Sequence, residues 1–111
     1  MSTVIVINSY GMGNGSKELG EVLIGAFLKK IWARTAKPET IVLYNEGVRL
    51  IAEGLPYLDA LDGLESQGVE IVACGTCLDF YEIENSIKVG RRSDMNEIVN
   101  FMMEADKVIT I

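Results

Sequence analysis

The two cysteines of the chain, Cys74 and Cys77, are the residues best suited to covalent chemistry, because the 111-residue sequence contains no histidine. They form a Cys-x-x-Cys motif, Cys-Gly-Thr-Cys, at residues 74–77. In a chain without secretory features, such a pair is typical of redox, persulfide or metal chemistry rather than of a structural disulfide. We therefore assign Cys74 and Cys77 as candidate catalytic residues.

The residues around the motif predict a strand followed by a short helix. Residues 69–73 are rich in β-branched side chains, which predicts a buried strand. Thr76 is suited to cap the following helix, and Asp79 to its first turn. Cys74 then lies at a strand end and Cys77 at or just inside a helix amino end, where the pKa of a thiol can fall from ~8.5 to roughly 3.5–7.5. A thiolate at neutral pH would need no general base.

The rest of the chain alternates predicted strands and helices. Strands are predicted at residues 3–7, 40–44, 87–90 and 107–111, and helices at residues 16–34, 56–67, 80–86 and from Asp94 onward. Because parallel neighbours need crossover helices, this alternation predicts an α/β fold, a three-layer α/β/α sandwich with a mainly parallel sheet of about five strands. The length fits a single domain over residues 1–111.

Three predicted loops meet at the carboxyl edge of such a sheet, where ligands bind at a reversal of the strand order. They are residues 8–15, 45–47 and 74–78. The first has the spacing Gly-x-Gly-x-Gly, which is neither the dinucleotide fingerprint nor a P-loop. It is either a flexible turn or a loop that lines the cysteine pocket. The candidate substrate-binding residues are Asn8, Gly11, Gly13, Asn45, Gly75 and Thr76.

Composition restricts the partners. The net charge of −6 argues against nucleic acid. There is no signal-peptide pattern and no apolar run that could span a membrane, so we expect a cytoplasmic protein without a membrane partner. Arg91 and Arg92 could steer an anion or form a solvated surface pair. A zinc site would need two further ligands, from carboxylates or another subunit, and we predict no metal and no cofactor.

The predicted helix at residues 16–34 is apolar nearly all round. One face carries Leu19, Val22, Leu23, Ala26 and Phe27, and another carries Ile24, Leu28, Ile31 and Trp32. The sheet of so small a domain can cover only one face of a helix. We expect the second stripe, with Trp32, to pack against another subunit in a homo-oligomer. The alternative is a well-buried helix within one chain.

Three segments resemble the DsrE/DsrF-like family. They are Val-Glu-Ile-Val-Ala-Cys-Gly-Thr-Cys-Leu-Asp-Phe-Tyr at residues 69–81, Ile-Lys-Val-Gly at 87–90 and Ala-Asp-Lys-Val-Ile-Thr-Ile at 105–111. The resemblance covers essentially the whole chain and is strongest to the carboxyl-terminal domain of YedF-type proteins, which are associated with selenium metabolism. Those proteins usually carry a TusA-like domain ahead of this one, whereas this sequence opens on its first strand. Glu82 stands where the family often has glycine.

The resemblance implies a DsrE-like fold and a sulfurtransferase-like carrier of persulfide sulfur or selenium in a sulfur relay. Cys74 matches the sulfur-carrying cysteine of the DsrE/TusD-like group, and Cys77 is an additional, resolving or assisting thiol. The implied partners are sulfur donor and acceptor proteins or small thiols, and family members often form trimers or hexamers.

Two further functions stay open. A thiol-disulfide oxidoreductase would use the same pair as a reversible disulfide, although the motif lacks the preceding tryptophan of thioredoxin. A non-enzymatic oligomeric interaction module would bury both cysteines as inert thiols. Fast reaction of at least one thiol separates the first two functions from the third.

Overall fold

The computed structural model describes residues 2–53 and 55–111. The described residues form five strands: β1 Thr3–Ile7, β2 Thr40–Leu43, β3 Glu70–Cys74, β4 Arg91–Ser93 and β5 Lys107–Thr110. They also form four α-helices: α1 Lys17–Ala33, α2 Leu55–Ser66, α3 Gly75–Phe80 and α4 Met95–Glu104. Short 3-10 helices occupy Asn45–Ile51 and Glu84–Ser86.

The order of the strands follows from the handedness of their connections. The sheet order is β4-β3-β2-β1-β5. From β1 to β4 each strand is added on the same side, so right-handed crossovers put α1, α2 and α3 on one face. The connection to β5 returns across the sheet, so α4 covers the other face. The predicted three-layer α/β/α sandwich is confirmed, and every strand pair is parallel.

Side-chain alternation along the strands divides the core in two. The face toward α1 and α2 carries an aligned row of isoleucines, Ile5, Ile41 and Ile71. The face toward α4 carries an aligned row of valines, Val6, Val42 and Val72. Full burial of each such side chain contributes about 1.5–3 kcal/mol. Slipping one strand by one residue would swap its two faces, so these rows hold the register.

Two helix starts are capped by the polar side chain of the residue that precedes them. The side chain of Ser16 accepts a hydrogen bond from the Leu19 N–H, and that of Asp94 accepts one from the Glu97 N–H. Each cap satisfies one of the unpaired donors of a helix amino end. In the described part of the chain, no helix is both long and apolar enough to cross a membrane.

The apolar stripes of α1 have the opposite roles from those predicted. Ile24 and Leu28 are fully buried in the core. Trp32, in the same stripe, packs over Gly63 of α2, where an added Cβ would lie 2.2 Å from the indole ring. The prediction that this stripe contacts another subunit is therefore wrong for Ile24 and Leu28, whereas Trp32 keeps 36% of its surface exposed. The exposed stripe is the other one, with relative exposures of 56%, 65% and 44% for Leu19, Val22 and Leu23.

The helix predicted at residues 80–86 does not form. Helix α3 ends at Phe80, and Glu82 has a φ of 56°, which is left-handed backbone that no right-handed helix can contain. A glycine would adopt this conformation without strain. The residue that departs from the family pattern thus occupies a position that favours glycine.

The predicted strand at residues 87–90 is also displaced. The N–H of Lys88 donates to the carbonyl of Ile51, and that of Gly90 donates to the carboxylate of Glu65. Both donors are therefore used outside the sheet. Pairing with β3 begins only at the following residues, which form β4.

The 3-10 helix Asn45–Ile51 lies tightly against the end of β1. A Cβ added to Gly47 would lie 2.1 Å from the carbonyl oxygen of Ile7. The same oxygen accepts a hydrogen bond of 3.2 Å from the Tyr44 N–H. This close approach holds Asn45, which lies between Tyr44 and Gly47, at the carboxyl edge of the sheet.

We predict that Gly47→Ala lowers the free energy of unfolding by about 2 kcal/mol or more, because the new methyl group overlaps a strand carbonyl that cannot retreat. Urea denaturation measures the loss. Gly13→Ala is the control, since its Cβ would meet nothing within 4 Å and would add only left-handed strain of about 1–2 kcal/mol at φ 85°. A smaller loss for Gly47→Ala than for the control would contradict the close contact.

Candidate functional site

Cys74 lies where β3 turns into α3. It is the last residue of β3 and the N-cap residue of α3, as predicted for the carboxyl end of a strand. It pairs in register with Ser93 of β4. Only 4% of its surface is exposed, and its side chain belongs to the part of the core beneath α4. The first thiol of the motif is therefore nearly closed off from solvent.

Cys77 is the more accessible thiol. It is the third residue of α3 and is half-buried, so the predicted place just inside a helix amino end is confirmed. Its Sγ accepts a hydrogen bond of 3.1 Å from the Asn45 N–H. The side chains of Cys74 and Cys77 also pack in the same apolar cluster, and neither cysteine forms a disulfide. The two sulfur atoms thus form one site.

The environment raises the pKa of the Cys77 thiol. Burial is the main cause, because it disfavours the thiolate. The Asn45 N–H opposes this effect, whereas the hydrogen bond and charge of Cys74 add to it. The pKa of Cys77 is therefore raised although the thiol lies at a helix amino end, a place that can lower it. Only one backbone N–H contributes on the lowering side, and it does not offset burial.

Asn45 is held by two hydrogen bonds, one to α3 and one from the C-cap residue of α3. Its N–H donates to Cys77, and its Oδ1 accepts a hydrogen bond of 2.9 Å from the hydroxyl of Tyr81. Its backbone is left-handed, with a φ of 51°. Tyr81 was not among the candidates from the sequence. Its position four residues after Cys77, one helical turn along the same face, is the signal that could have identified it.

Gly75 and Thr76, between the cysteines, have separate surroundings. Gly75 is covered by Arg92, since a Cβ there would lie 2.7 Å from the guanidinium carbon. Thr76 is exposed as the second residue of α3, so it is not the helix cap, and that prediction is wrong. The cap position belongs to Cys74, because the helix begins one residue after the strand ends.

The arginine over Gly75 is already paired. Arg92 contacts Asp79 at 2.9 Å and Glu84 at 2.5 Å. Its hydrogen bond to Asp79 lowers the pKa of that carboxyl. This bridge connects α3 to the following 3-10 helix and to β4.

The neighbouring arginine is engaged on the other side of β4. Arg91 contacts Glu70 and Glu97, each at 2.7 Å. The hydrogen bond from Arg91 to Glu97, with a second from the Ser93 hydroxyl, lowers the pKa of Glu97 to about 2. Because Arg91 and Arg92 both bind carboxylates of their own chain, the interpretation as a surface pair fits better than a role in steering an anion.

The glycine loop lines a pocket of its own. Gly11 and Gly13 border a space of about 480 Å³ whose lining residues include Arg49 but neither cysteine. Gly11 packs against the main chain of Gly20 in α1. The loop follows β1, beside which the strand order reverses, whereas the cysteines follow β3. The structure therefore does not bring these two candidate residues to the sulfur atoms.

Asn8 lies one contact away from the site. Its Nδ2 donates a hydrogen bond of 3.3 Å to the hydroxyl of Tyr44. Tyr44 precedes Asn45, which contacts Cys77 directly. Of the six candidate substrate-binding residues, those in contact or in sequence with the cysteines are Asn45, Gly75 and Thr76.

No carboxylate completes a metal site with the two thiols. Within residues 2–53 and 55–111, no group of three or more Cys, Asp or Glu side chains is arranged to hold a metal ion. What the site offers is a pair of neighbouring free thiols, one buried and one half-exposed, with the Asn45 N–H on the outer sulfur.

We predict that iodoacetamide modifies Cys77 before Cys74 in the folded chain, and more slowly than a free cysteine at pH 7, so the fast-reacting thiol expected from the sequence is not expected in the resting chain. The raised pKa leaves less thiolate than the few per cent of an ordinary cysteine. The rate should rise as the pH increases through that pKa. Intact-mass time courses of the Cys74→Ser and Cys77→Ser chains give the two rates, and the urea-unfolded chain supplies the free-thiol reference. Modification of Cys77 at pH 7 faster than this reference would contradict the prediction.

Solved structures share this fold over nearly the whole chain. The ychN protein from E. coli has 24% sequence identity and a TM-score of 0.69, covering 99% of this chain and 98% of that chain. MTH1491 from Methanobacterium thermoautotrophicum, a protein of unknown function, has 20% identity and a TM-score of 0.72, with coverages of 99% and 98%. BT1422 from Bacteroides thetaiotaomicron, also of unknown function, has 14% identity and a TM-score of 0.69, with coverages of 99% and 95%.

At these identities the structural likeness establishes the fold alone. A comparison with curated proteins finds no match. The sequence profile of the DsrE/DsrF-like family matches residues 1–111, the full length of the sequence. This match agrees with the all-parallel five-stranded sheet and with the motif at its carboxyl edge. The chain therefore belongs to the DsrE/DsrF-like family.

Proposed function

We propose that the chain is a sulfur-relay module in which Cys74 accepts a sulfur atom as a persulfide and passes it on. The family is associated with sulfur relay. The observation that carries the proposal is the pair of free thiols at the carboxyl edge of the sheet, which pack in the same apolar cluster, with the outer one half-exposed. Two neighbouring thiols can exchange a sulfur atom without leaving the protein.

The reaction is a displacement at sulfur. The Cys74 thiolate attacks the outer sulfur of a donor persulfide, the S–S bond of the donor breaks, and the donor leaves as a thiolate. Cys74 then carries the extra sulfur as Cys–S–SH. An acceptor thiolate attacks the same outer sulfur, forms its own persulfide and releases the Cys74 thiolate. Nothing is oxidised or reduced overall.

Cys77 assists because it is the more accessible thiol. Cys74 is 4% exposed, whereas Cys77 is half-buried and packs in the same apolar cluster. The Cys77 thiolate can attack the outer sulfur of the Cys74 persulfide and carry that sulfur nearer the surface. The same thiolate could instead attack the inner sulfur, which would release hydrosulfide and leave a disulfide between the two cysteines.

That second outcome is the chemistry of a thiol-disulfide oxidoreductase, the alternative function. The same pair of neighbouring thiols supports it, because a disulfide requires adjacent sulfur atoms. The two functions differ in what the chain holds after the reaction. A relay holds an additional sulfur atom, and an oxidoreductase holds an internal disulfide.

The partners follow from this chemistry. We propose small thiols and persulfides, or sulfur donor and acceptor proteins, in a reducing compartment such as the cytoplasm that keeps both thiols reduced. The Cys-Gly-Thr-Cys motif supports a YedF-type specificity in which selenium can replace sulfur. Nucleic acid is not among the proposed partners, since the net charge is −6 and Arg91 and Arg92 are both ion-paired.

We predict that the chain gains one sulfur atom on incubation with a small persulfide donor, and that a reductant removes it. Cys74→Ser should abolish the gain, because Cys74 is the acceptor. Cys77→Ser should retain the gain but slow its passage to an acceptor thiol. Intact mass measures all three chains before and after reduction, and a chain with both cysteines replaced is the control.

Loss of two hydrogen atoms in place of a gain would establish the oxidoreductase. No reaction at either cysteine would establish an inert interaction module. Retention of the added sulfur by Cys74→Ser, together with its loss from Cys77→Ser, would transfer the carrier role to Cys77.

We also propose that copies of the chain associate through the exposed stripe of α1. Leu19, Val22 and Leu23 stand in a row on this helix, and Val22 also borders a groove of about 500 Å³ that reaches Tyr57 of α2. Contiguous exposed apolar side chains of this kind mark interaction surfaces. A second copy would bury the stripe against the same stripe.

Val22→Lys should therefore shift the chain to a smaller species in sedimentation velocity, because a charge would be buried in the contact. Met103→Lys is the matched control, since Met103 is 79% exposed on α4, away from the stripe. The fold should survive both changes, as judged by thermal unfolding. A native chain that sediments as a monomer at tens of micromolar would refute the association.

A further inference from the structure

The face of α3 that carries Cys77 also carries Tyr81. The Tyr81 N–H donates to the carbonyl of Cys77 at 3.1 Å, so the two side chains lie one helical turn apart on the same face. Tyr81 is half-buried, and its ring packs edge-to-face on Phe80 at a centroid distance of 5.2 Å. The tyrosine ring thus has a defined place beside the reactive sulfur.

Both side chains bind one residue of another segment. Asn45 donates its N–H to the sulfur of Cys77 at 3.1 Å and accepts the hydroxyl hydrogen of Tyr81 at 2.9 Å on its Oδ1. Three groups therefore form a closed set of contacts between α3 and the segment after β2. The bond from the Asn45 N–H goes to Cys77 in α3, and the bond to Asn45 Oδ1 comes from Tyr81, the C-cap residue of α3.

The direction of the Asn45 N–H depends on a backbone conformation that is costly for most residues. Its φ of 51° lies in the left-handed region, which asparagine tolerates better than most side chains. An extended backbone at this position would turn the N–H away from the sulfur. The bond from Tyr81 to the side chain of Asn45 holds the residue in the conformation that directs its N–H to Cys77.

We propose that Tyr81 is a positioning residue for Cys77, which acts by holding the Asn45 N–H on the sulfur that exchanges with Cys74. This role serves the chain only if the proposed function holds, so it rests on that proposal. The effect of Tyr81 on the Cys77 thiol can nevertheless be measured without any sulfur donor. A hydrogen bond to the charged form favours that form, so the N–H increases the thiolate fraction of a thiol that burial would otherwise keep protonated.

The positioned thiolate matters in one step. Cys77 loses its proton to solvent, and its electron pair forms a bond to the outer sulfur of the Cys74 persulfide. The bond between that sulfur and the Cys74 sulfur breaks, and its electrons stay on Cys74 as a thiolate. Atoms and charge balance without an oxidant or reductant, and the Asn45 N–H faces the attacking sulfur at the start.

The nearby charged groups would not produce the same effect. Glu46, which follows Asn45, is paired with Arg49, and Asp79 on α3 is paired with Arg92. Removal of the Tyr81 hydroxyl leaves both ion pairs intact. A change in the titration of Cys77 then reports the hydrogen bonds to its sulfur.

The test is the pH profile of iodoacetamide reaction at Cys77, measured in the Cys74→Ser chain so that only one thiol reacts. Adding Tyr81→Phe should move the profile to higher pH. At a pH below the midpoint, the rate should fall about threefold, the ordinary effect of losing one neutral hydrogen bond. A purely structural role for Tyr81 would lower stability without moving this profile.

Tyr44→Phe is the matched control. Tyr44 precedes Asn45, and its hydroxyl contacts Asn8 at 3.3 Å rather than the site. Loss of the Tyr44 hydroxyl should leave the pH profile of the Cys77 reaction unchanged. Asn45→Gly is the companion variant, because glycine keeps the N–H and the left-handed backbone but has no acceptor for Tyr81. In that background Tyr81→Phe should have no further effect, since the pair no longer interacts.

An unchanged profile in Tyr81→Phe, or an equal shift with and without Asn45→Gly, would overturn the positioning role. These outcomes are independent of the relay itself. If the native chain gains no sulfur atom but Tyr81→Phe still shifts the profile, the relay fails and the positioning role stands. If sulfur is gained and the profile does not move, the relay stands and the positioning role fails.

Discussion

The parallel register between β2 and β3 is the constraint on which the site depends. Leu43 pairs with Ala73, so the chain that leaves β2 and the chain that leaves β3 emerge side by side at one edge. Asn45 lies two residues after Leu43, and Cys74 follows Ala73 directly. A slip of one residue would exchange the buried faces of a strand and separate the Asn45 N–H from the Cys77 sulfur. The rows of buried isoleucine and valine that hold this register therefore also determine the geometry of the thiols.

Two close approaches complete the positioning. Gly47 allows the segment after β2 to lie on the carbonyl of Ile7, and Gly75 allows the guanidinium of Arg92 to lie over the start of α3. In both places a side chain would collide with atoms that other contacts hold. The glycine of the motif is thus explained by packing, and Arg92 connects α3 to its surroundings through carboxylates of the same chain.

The electrostatics of the thiols follow from burial more than from the helix. Burial and the neighbouring Cys74 raise the pKa of the Cys77 thiol by more than the Asn45 N–H lowers it. Cys74 is buried and Cys77 half-buried, so the two thiols lie in a low-dielectric part of the protein. Under these conditions a single directed N–H has more influence than it would have on an exposed sulfur, since hydrogen bonds are electrostatically stronger in a low-dielectric site.

The sequence by itself determined the order and kind of most elements. Runs such as residues 3–7 and 40–44 are typical of strands covered on both faces, and Ser16 and Asp94 are residue types that cap helix starts through local hydrogen bonds. The parallel layers and the placement of Cys74 at a strand end followed from these local signals. Each depends on residues close together in the chain, which is why one sequence sufficed.

Tertiary structure alone decided which stripe of α1 is buried, where β4 begins, and what contacts the sulfur of Cys77. Two apolar stripes look equivalent in a sequence, and the burial of Ile24 and Leu28 in the core distinguishes them. The bond from Asn45 to Cys77 joins residues 32 positions apart, and that from Tyr81 to Asn45 joins residues 36 positions apart. The raised pKa of Cys77 likewise depends on burial by the whole fold, which no local pattern contains. Contacts of this range are determined by strand register and packing, and so they appear only when the chain is folded.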